Sequence, residues 1–205
     1  MRGPVTVAVT GPFASGKSTL VRFLDELPGI ETASADEIVH HLLKNDRQTV
    51  SRIIERFGED VRGPEGVDRK ALGRKVFGDA EALRDLEGIL HPLVQSETDR
   101  RIEASGARIF VAEIPLLFET GRGEDFDFTV AVTVPEERRR AWVEERGLDE
   151  AALRAVETRQ FSGEEKAGYA DLVVQNDGDL DSLRGQAEQL WRTVSRERRS
   201  HGNSP

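Results

Sequence analysis

The chain contains no cysteine. Disulfides, thiolate metal sites and a cysteine nucleophile are therefore excluded. A cysteine-free chain also fits a reducing compartment, and the cytoplasm is the expected location. No apolar run approaches the ~18 residues that a membrane-crossing helix needs, so a membrane is not an expected partner. Met1-Arg2-Gly3-Pro4 leads straight into a strand-like run, and no secretory signal peptide is expected there. Positive charge is scarce: 29 Lys and Arg stand against 38 Asp and Glu, a net charge of −9. An acidic chain is a poor general binder of nucleic acid or anionic lipid. An anionic ligand must instead be met by a local cluster of donors. The 205 residues are 37% hydrophobic and 33% charged. That is enough for one large domain whose core lies under a heavily charged surface. There is no internal repeat and no low-complexity linker.

What the sequence does contain is Gly11-Pro12-Phe13-Ala14-Ser15-Gly16-Lys17-Ser18. It fits the phosphate-loop pattern of Gly, four residues, then Gly-Lys-Ser. The run Val5–Thr10 before it is β-branched, as a buried parallel strand is. Thr19–Leu24 after it is apolar at helical spacing, at Leu20, Phe23 and Leu24. A chain that wraps a phosphate with backbone N–H groups needs glycines where side chains would collide or φ must be positive. The following helix turns its unpaired N–H groups and positive dipole end to the same anion. Lys17 is expected on the β- and γ-phosphates and the Ser18 hydroxyl on Mg²⁺.

Pro28-Gly29 ends that helix, and Ile30–Ser34 reads as a second strand. A helical pattern follows from Asp36. Residues 46–105 are rich in helical patterns and poor in strands. Val50, Ile53, Ile54 and Phe57 share a face, and Gly58 stops them. Gly63–Gly66 is a turn cluster. Short helices are expected around Leu72–Phe77 and Leu83–Leu90, and Pro92 is expected to open a longer one. Strands follow at 108–114 and 128–134, each closed by proline. Glu136 to Gln160 is a charged helical region, and 171–175 is a fifth strand. Leu180, Leu183, Ala187, Leu190 and Val194 form the apolar stripe of a last helix, before a polar tail from Arg198 that is expected to be disordered.

In an open parallel sheet, ligands bind beyond the C-terminal ends of the strands. Asp36 follows the second strand and Glu113 ends the third. Asp36 suits a base that aims an acceptor hydroxyl at the γ-phosphorus. It equally suits a helix N-cap. Glu113 is either a carboxylate orienting water on Mg²⁺ or a solvated strand end. Arg138, Arg139, Arg140, Arg146, Arg154, Arg159 and Lys166 form the local basic cluster. They either close over a triphosphate or pair with Glu136, Glu137, Glu144 and Glu145 on a solvated face. His40 and His41 are adjacent and face apart. His91 precedes Pro92 and is either structural or a second-substrate contact. His201 lies in the tail.

With these residues in view, the sequence resembles the dephospho-CoA kinase family over about residues 5–191. The marks are the loop Gly11–Ser18, Ser34-Ala35-Asp36, Phe57-Gly58, Asp68-Arg69, Val76-Phe77 and Leu90-His91-Pro92. They continue with Pro115-Leu116-Leu117-Phe118-Glu119, Gln160 with Lys166, Ala170-Asp171, Asn176 and Leu190-Trp191. The resemblance implies an α/β, three-layer phosphate-loop nucleotide-kinase fold on a five-stranded parallel sheet. Residues 1–45 and 106–197 would form the nucleotide-binding core, with a lid at about 138–168. Residues 46–105 would be a helical acceptor-binding insertion and 198–205 a disordered tail. It further implies transfer of the ATP γ-phosphate to the ribose 3′-hydroxyl of dephospho-CoA, with ATP and Mg²⁺ required. Nucleotide contacts would come from Gly11, Phe13, Ala14, Ser15, Gly16, Lys17, Ser18, Thr19, Asn176, Arg139 and Arg146. Asp36, His91, Glu113 and Leu116 would meet the acceptor; Lys17 and Asp36 would be catalytic, and Ser18 would hold the metal. The expected assembly is a monomer or weak homo-oligomer.

Three departures from the family stand out. Pro12 and Ala14 occupy loop positions that are usually glycine. Ser34 replaces the first acid of the family's Asp-Ala-Asp. Glu145 stands where the lid arginine is usual, and Arg146 directly precedes Gly147-Leu148. A kinase of another small acceptor, or a non-catalytic nucleotide-binding relative, is the alternative reading.

Overall fold

The computed structural model describes residues 3–145 and 158–201. The chain runs β1 (Val5–Thr10), α1 (Lys17–Asp25), β2 (Ile30–Ser34), α2 (Ala35–Asn45) and α3 (Arg47–Phe57). A two-residue hairpin, β3 (Arg62–Gly63) and β4 (Gly66–Val67), leads to α4 (Arg69–Val76) and α5 (Ala80–Ala104). Then come β5 (Ile109–Glu113), β6 (Phe128–Thr133), α6 (Glu136–Glu145), α7 (Gly163–Tyr169), β7 (Leu172–Gln175) and α8 (Leu180–His201). The chain divides into two units, Met1–Ala33 with Ala104–Pro205, and Ser34–Glu103.

The first unit is built on the expected five-stranded parallel sheet, in the order β2-β5-β1-β6-β7. β1 lies at the centre, so the chain leaves it where neighbouring strands arrive from opposite directions. That is where open α/β sheets bind ligands. The register sets Val9 beside Glu113 on one side and Val130 on the other. Alternate strand residues Val7, Val9, Ile109, Val111, Val130 and Val132 join one buried cluster. α1 adds Leu20, Val21, Phe23 and Leu24, and α8 adds Leu183, Ala187, Leu190 and Val194. Each fully buried leucine among them contributes about 2 kcal/mol relative to exposure. β5 is buried at every residue, as a strand covered on both faces must be.

Two expectations for the last helix need correction. Leu180 does not join the buried stripe; it is 62% exposed at the helix start. The helix also runs on to His201, into the segment read as a disordered tail from Arg198. Arg and Glu are good helix formers, and a helix already nucleated by packing propagates through them.

The second unit has its own core of Leu43, Ile53, Ile54, Phe57, Val61, Val67, Leu72, Val76, Ala82 and Leu90. Its boundary falls at Ser34 and not near residue 46, because α2 packs on α3 and β4 through residues such as Leu43. Pro92 does not open a helix. It lies inside α5, which is continuous from Ala80. A proline there removes one backbone donor, while Leu83, Leu86, Ile89 and Leu90 keep the preceding turns packed. Phe77 is 63% exposed and takes no part in that core. Among the described residues no helix is long and apolar enough to cross a membrane.

Candidate active site

The loop between β1 and α1 is shaped by three residues with positive φ: Gly11 at 152°, Ala14 at 60° and Gly16 at 94°. A Cβ on Gly11 would stand 2.5 Å from the Val132 carbonyl oxygen, and one on Gly16 would stand 2.2 Å from Asn176 Nδ2. Both glycines are thus demanded twice, by backbone conformation and by lack of room. Asn176 is buried just past β7; its Nδ2 donates to the Ser15 carbonyl at 2.9 Å and its own N–H to the Thr133 carbonyl at 2.8 Å. On the other flank the Phe13 N–H donates to Gln160 Oε1 at 3.2 Å. The loop is therefore held by Asn176 at the exit of β7 and by Gln160 in the segment ahead of α7.

α1 begins directly at Lys17, and no side chain caps it. Three other helices carry side-chain caps, Asp46 for α3, Asp68 for α4 and a Ser162–Glu165 capping box for α7, while α2 behind Ser34 has none. A helix start left uncapped at the end of a glycine loop presents its N–H groups and dipole to an anion. Lys17 is nearly buried, and its Nζ donates to the Pro12 carbonyl at 2.8 Å, so the ammonium lies along the loop. The Ser18 hydroxyl donates to Glu113 Oε1 at 2.8 Å. Glu113 is 5% exposed, which rules out the solvated strand end. It was expected among the acceptor contacts; its carboxylate meets the hydroxyl expected on the metal.

Among the described residues no three His, Cys, Asp or Glu side chains converge as a metal cage. That is compatible with Mg²⁺, which keeps several waters and binds through one or two protein oxygens plus substrate phosphates. The Ser18 hydroxyl and Glu113 carboxylate are hard oxygen donors of the right kind.

Two hollows open beside the loop. One, of about 470 Å³, is lined by Ala14, Gly16 and Thr19, by Asn176 and Gly178, and by Arg138 and Trp142 of α6. There Arg138 donates to the Gly178 carbonyl and lies over the Trp142 ring. The other, of about 950 Å³, is lined by Pro12 and Phe13, by Glu136 and Arg139, and by residues 160–165 ahead of and within α7. Arg139 is buried to 7% exposure and holds Glu136 through Nε and Nη2, each at 3.0 Å. The Arg140 guanidinium, with that of Arg139, keeps Glu136 below the usual carboxylate range. Arg139 thus borders the larger hollow already paired with an acid. Arg146 and Arg154 lie outside the described residues.

Lys166 departs most from expectation. It was grouped with the cations that could close over a triphosphate, yet it is completely buried. Its Nζ contacts Glu119 Oε1 at 2.7 Å and the Pro115 carbonyl at 2.6 Å. Leu116, expected to meet the acceptor, is half-buried in the same segment, and its carbonyl accepts from the Thr120 hydroxyl at 2.7 Å.

In the second unit, Asp36 is exposed in the first turn of α2. Ser34 holds the N-cap position, so the capping alternative for Asp36 does not stand. His40, one turn further on, meets Arg69 Nη1 at 3.0 Å. Arg69, one of the residues that carry the family resemblance, thus meets a histidine one turn from Asp36. The i,i+4 spacing of Asp36 and His40 was the available signal. His91 is exposed on α5.

The family model for dephospho-CoA kinase matches residues 5–182. The chain belongs to the dephospho-CoA kinase family. A dephospho-CoA kinase of Symbiobacterium thermophilum is 40% identical over 193 residues, covering 92% of this chain and 80% of that protein. A crystal structure from Thermus thermophilus matches with a TM-score of 0.76 at 32% identity, over 96% of this chain and 98% of the other. A dephospho-CoA kinase from Campylobacter jejuni matches with a TM-score of 0.68 at 28% identity, over 94% and 98%. In family terms, Ala14 takes a left-handed conformation where the family usually has glycine. Ser34, in place of the family's first acid, sits at the start of α2.

Proposed function

We propose that this chain transfers the γ-phosphate of ATP to the ribose 3′-hydroxyl of dephospho-CoA, giving coenzyme A and ADP. The observation that carries the reading is the Ser18–Glu113 pair at the foot of an uncapped phosphate loop, with the Lys17 ammonium laid along it. That arrangement supports triphosphate binding by backbone N–H groups of residues 14 and 16–19, since those of Phe13 and Ser15 already serve Gln160 and the Pro12 carbonyl. Lys17 would swing from the Pro12 carbonyl to the β- and γ-phosphates and balance the charge that builds there. The smaller hollow, with Arg138, Asn176 and Thr19 on its walls, suits the nucleoside end. Arg139 and Arg146 would serve the lid at about 138–168. Mg²⁺, when bound, neutralises the β- and γ-phosphate oxygens. Ser18 would hold it, with Glu113 fixing the hydroxyl and ordering its waters.

Asp36 would orient the acceptor alcohol and take its proton. The new bond joins the 3′-oxygen to the γ-phosphorus, and the bond from that phosphorus to the bridging oxygen breaks, so its electron pair leaves on ADP. Phosphoryl transfer is largely dissociative, so aiming the alcohol matters more than stripping it. The helical unit is the acceptor platform in this reading, with Asp36, Arg69 and His91 as its polar groups; Leu116 is a further proposed acceptor contact. The cytoplasm is the compartment the reading implies.

The test is ADP release by purified protein with ATP and Mg²⁺, with and without dephospho-CoA, and phosphorus NMR to locate the new phosphate. No stimulation by that acceptor would remove the assignment. Ser34, standing where the family carries an acid, favours a second reading with a different small acceptor, and a panel of nucleosides and sugars in the same assay decides between them.

A further inference from the structure

Lys166 is a charged side chain with no exposure to solvent, and the chemistry above does not use it. Burial pushes its ammonium toward the neutral form, and the neighbouring Glu119 carboxylate opposes that shift. Such a pair is costly to bury and needs a fully furnished set of partners. The set is furnished, and the way it is furnished is informative. Nζ meets Glu119 Oε1 at 2.7 Å and Oε2 at 3.0 Å. It donates to the Pro115 carbonyl at 2.6 Å and reaches the Thr10 hydroxyl at 3.4 Å. The Thr10 hydroxyl itself donates to the Pro115 carbonyl at 3.1 Å.

Thr10 is the last residue of β1, directly ahead of Gly11. Pro115 lies two residues beyond Glu113, which holds Ser18. The ammonium therefore joins the strand end that launches the phosphate loop to the strand end that carries the metal-side carboxylate. Glu119 also accepts the Phe161 N–H at 2.7 Å, next to Gln160, which holds the Phe13 N–H. The segment 160–166 thus grips the loop on two sides, at Phe13 and behind Gly11.

We propose that Lys166, clamped by Glu119, is a positioning residue for phosphoryl transfer, fixing the phosphate loop relative to the Ser18–Glu113 pair through Thr10 and Pro115. It touches neither nucleotide nor acceptor. The inference rests on the kinase reading above, and misplacement of reacting groups by a fraction of an ångström is its mechanism.

The variant Lys166→Met alone strands the Glu119 carboxylate without its cation, and lost activity there would report misfolding. The informative variant is Lys166→Met with Glu119→Gln, which removes both charges and keeps both volumes. Thr10→Val is the second, since it keeps the β-branched shape and deletes only the hydroxyl. Expected for the double variant is a loss in kcat on the order of thirtyfold to a hundredfold, with KM for the acceptor within about twofold of the parent. In nucleotide-free protein, amide exchange of residues 10–16 should quicken while α8 is unchanged. Thr10→Val should move both readouts the same way by a smaller factor. A folded double variant with parental loop exchange overturns the proposal, whatever its activity. So does faster loop exchange with kcat within twofold of the parent. If the double variant does not fold, Thr10→Val decides by the same two readouts. A parent protein that fails to turn over dephospho-CoA would sink the kinase reading, and the exchange measurement would still judge the linkage between Lys166 and the loop.

Discussion

Ala14 holds φ at 60° inside the phosphate loop, and replacing it with glycine should stabilise the protein. An L-residue in the left-handed region pays about 1–2 kcal/mol because its Cβ crowds the following carbonyl. Glycine there relieves that crowding. It also gains freedom in the unfolded chain, which costs about 0.4–1 kcal/mol of stability. The balance favours Ala14→Gly by roughly 0.5–1 kcal/mol. For a chain of this size that is a rise of about 1–4 °C in melting temperature. The side chain is only half-buried, so little packing is lost to offset the gain. Thermal unfolding followed by circular dichroism, with urea melts as a check, measures it. Ala14→Val is the matched control: a β-branched residue is strained further at positive φ and should lower the melting point. The loosened loop of the glycine variant should raise KM for ATP a few-fold while stability rises, because less of the bound shape is present beforehand. Were Ala14→Gly to melt below the parent, the reasoning from loop strain would be wrong.

Lys17→Ala and Asp36→Asn should each fold normally and lose several orders of magnitude in turnover, on the order of 10³ or more; near-normal activity in Asp36→Asn would dismiss its proposed role. Glu113→Gln should raise the Mg²⁺ concentration needed for half-maximal activity and cut kcat by about a hundredfold, and a Mg²⁺ titration that overlays the parent's would disprove the link through Ser18. Glu97 on α5 is held at a pKa of about 2, below its ordinary 4.5, by Arg100 and then Arg101. Its folded value is depressed, so its contribution is present above pH 4.5 and fades as pH falls toward 2. Because Arg100 is 66% exposed, screening reduces that contribution to about 1 kcal/mol; Glu97→Gln should lose it at neutral pH and match the parent near pH 2, as urea melts at the two pH values would reveal.

What could be read from the sequence was whatever is local. β1, its loop and α1 are one continuous stretch whose spacing follows from wrapping a phosphate, and the structure reproduces them. The strands show through because β-branched runs bounded by Gly and Pro admit few other conformations. What escaped depends on partners distant in sequence. Nothing near Lys166 indicates that Glu119 lies beneath it, and a lysine among glutamates on a short helix reads as surface. Asn176 was noticed by resemblance, but its grip on the Ser15 carbonyl needs the exit of β7 beside the loop. Pro92 misled because proline is at home in the first turn of a helix; packing on either side decided otherwise. Leu180 matched the stripe in period but is the first residue of the helix and stays 62% exposed.

The crowding of Asn176 against Gly16 ties together two positions far apart in sequence. A side chain at position 16 is excluded twice over, by its positive φ and by the amide seated against it, so shrinking Asn176 would not by itself admit one. A library that varies position 16 should therefore return mostly dead clones even when position 176 is varied with it.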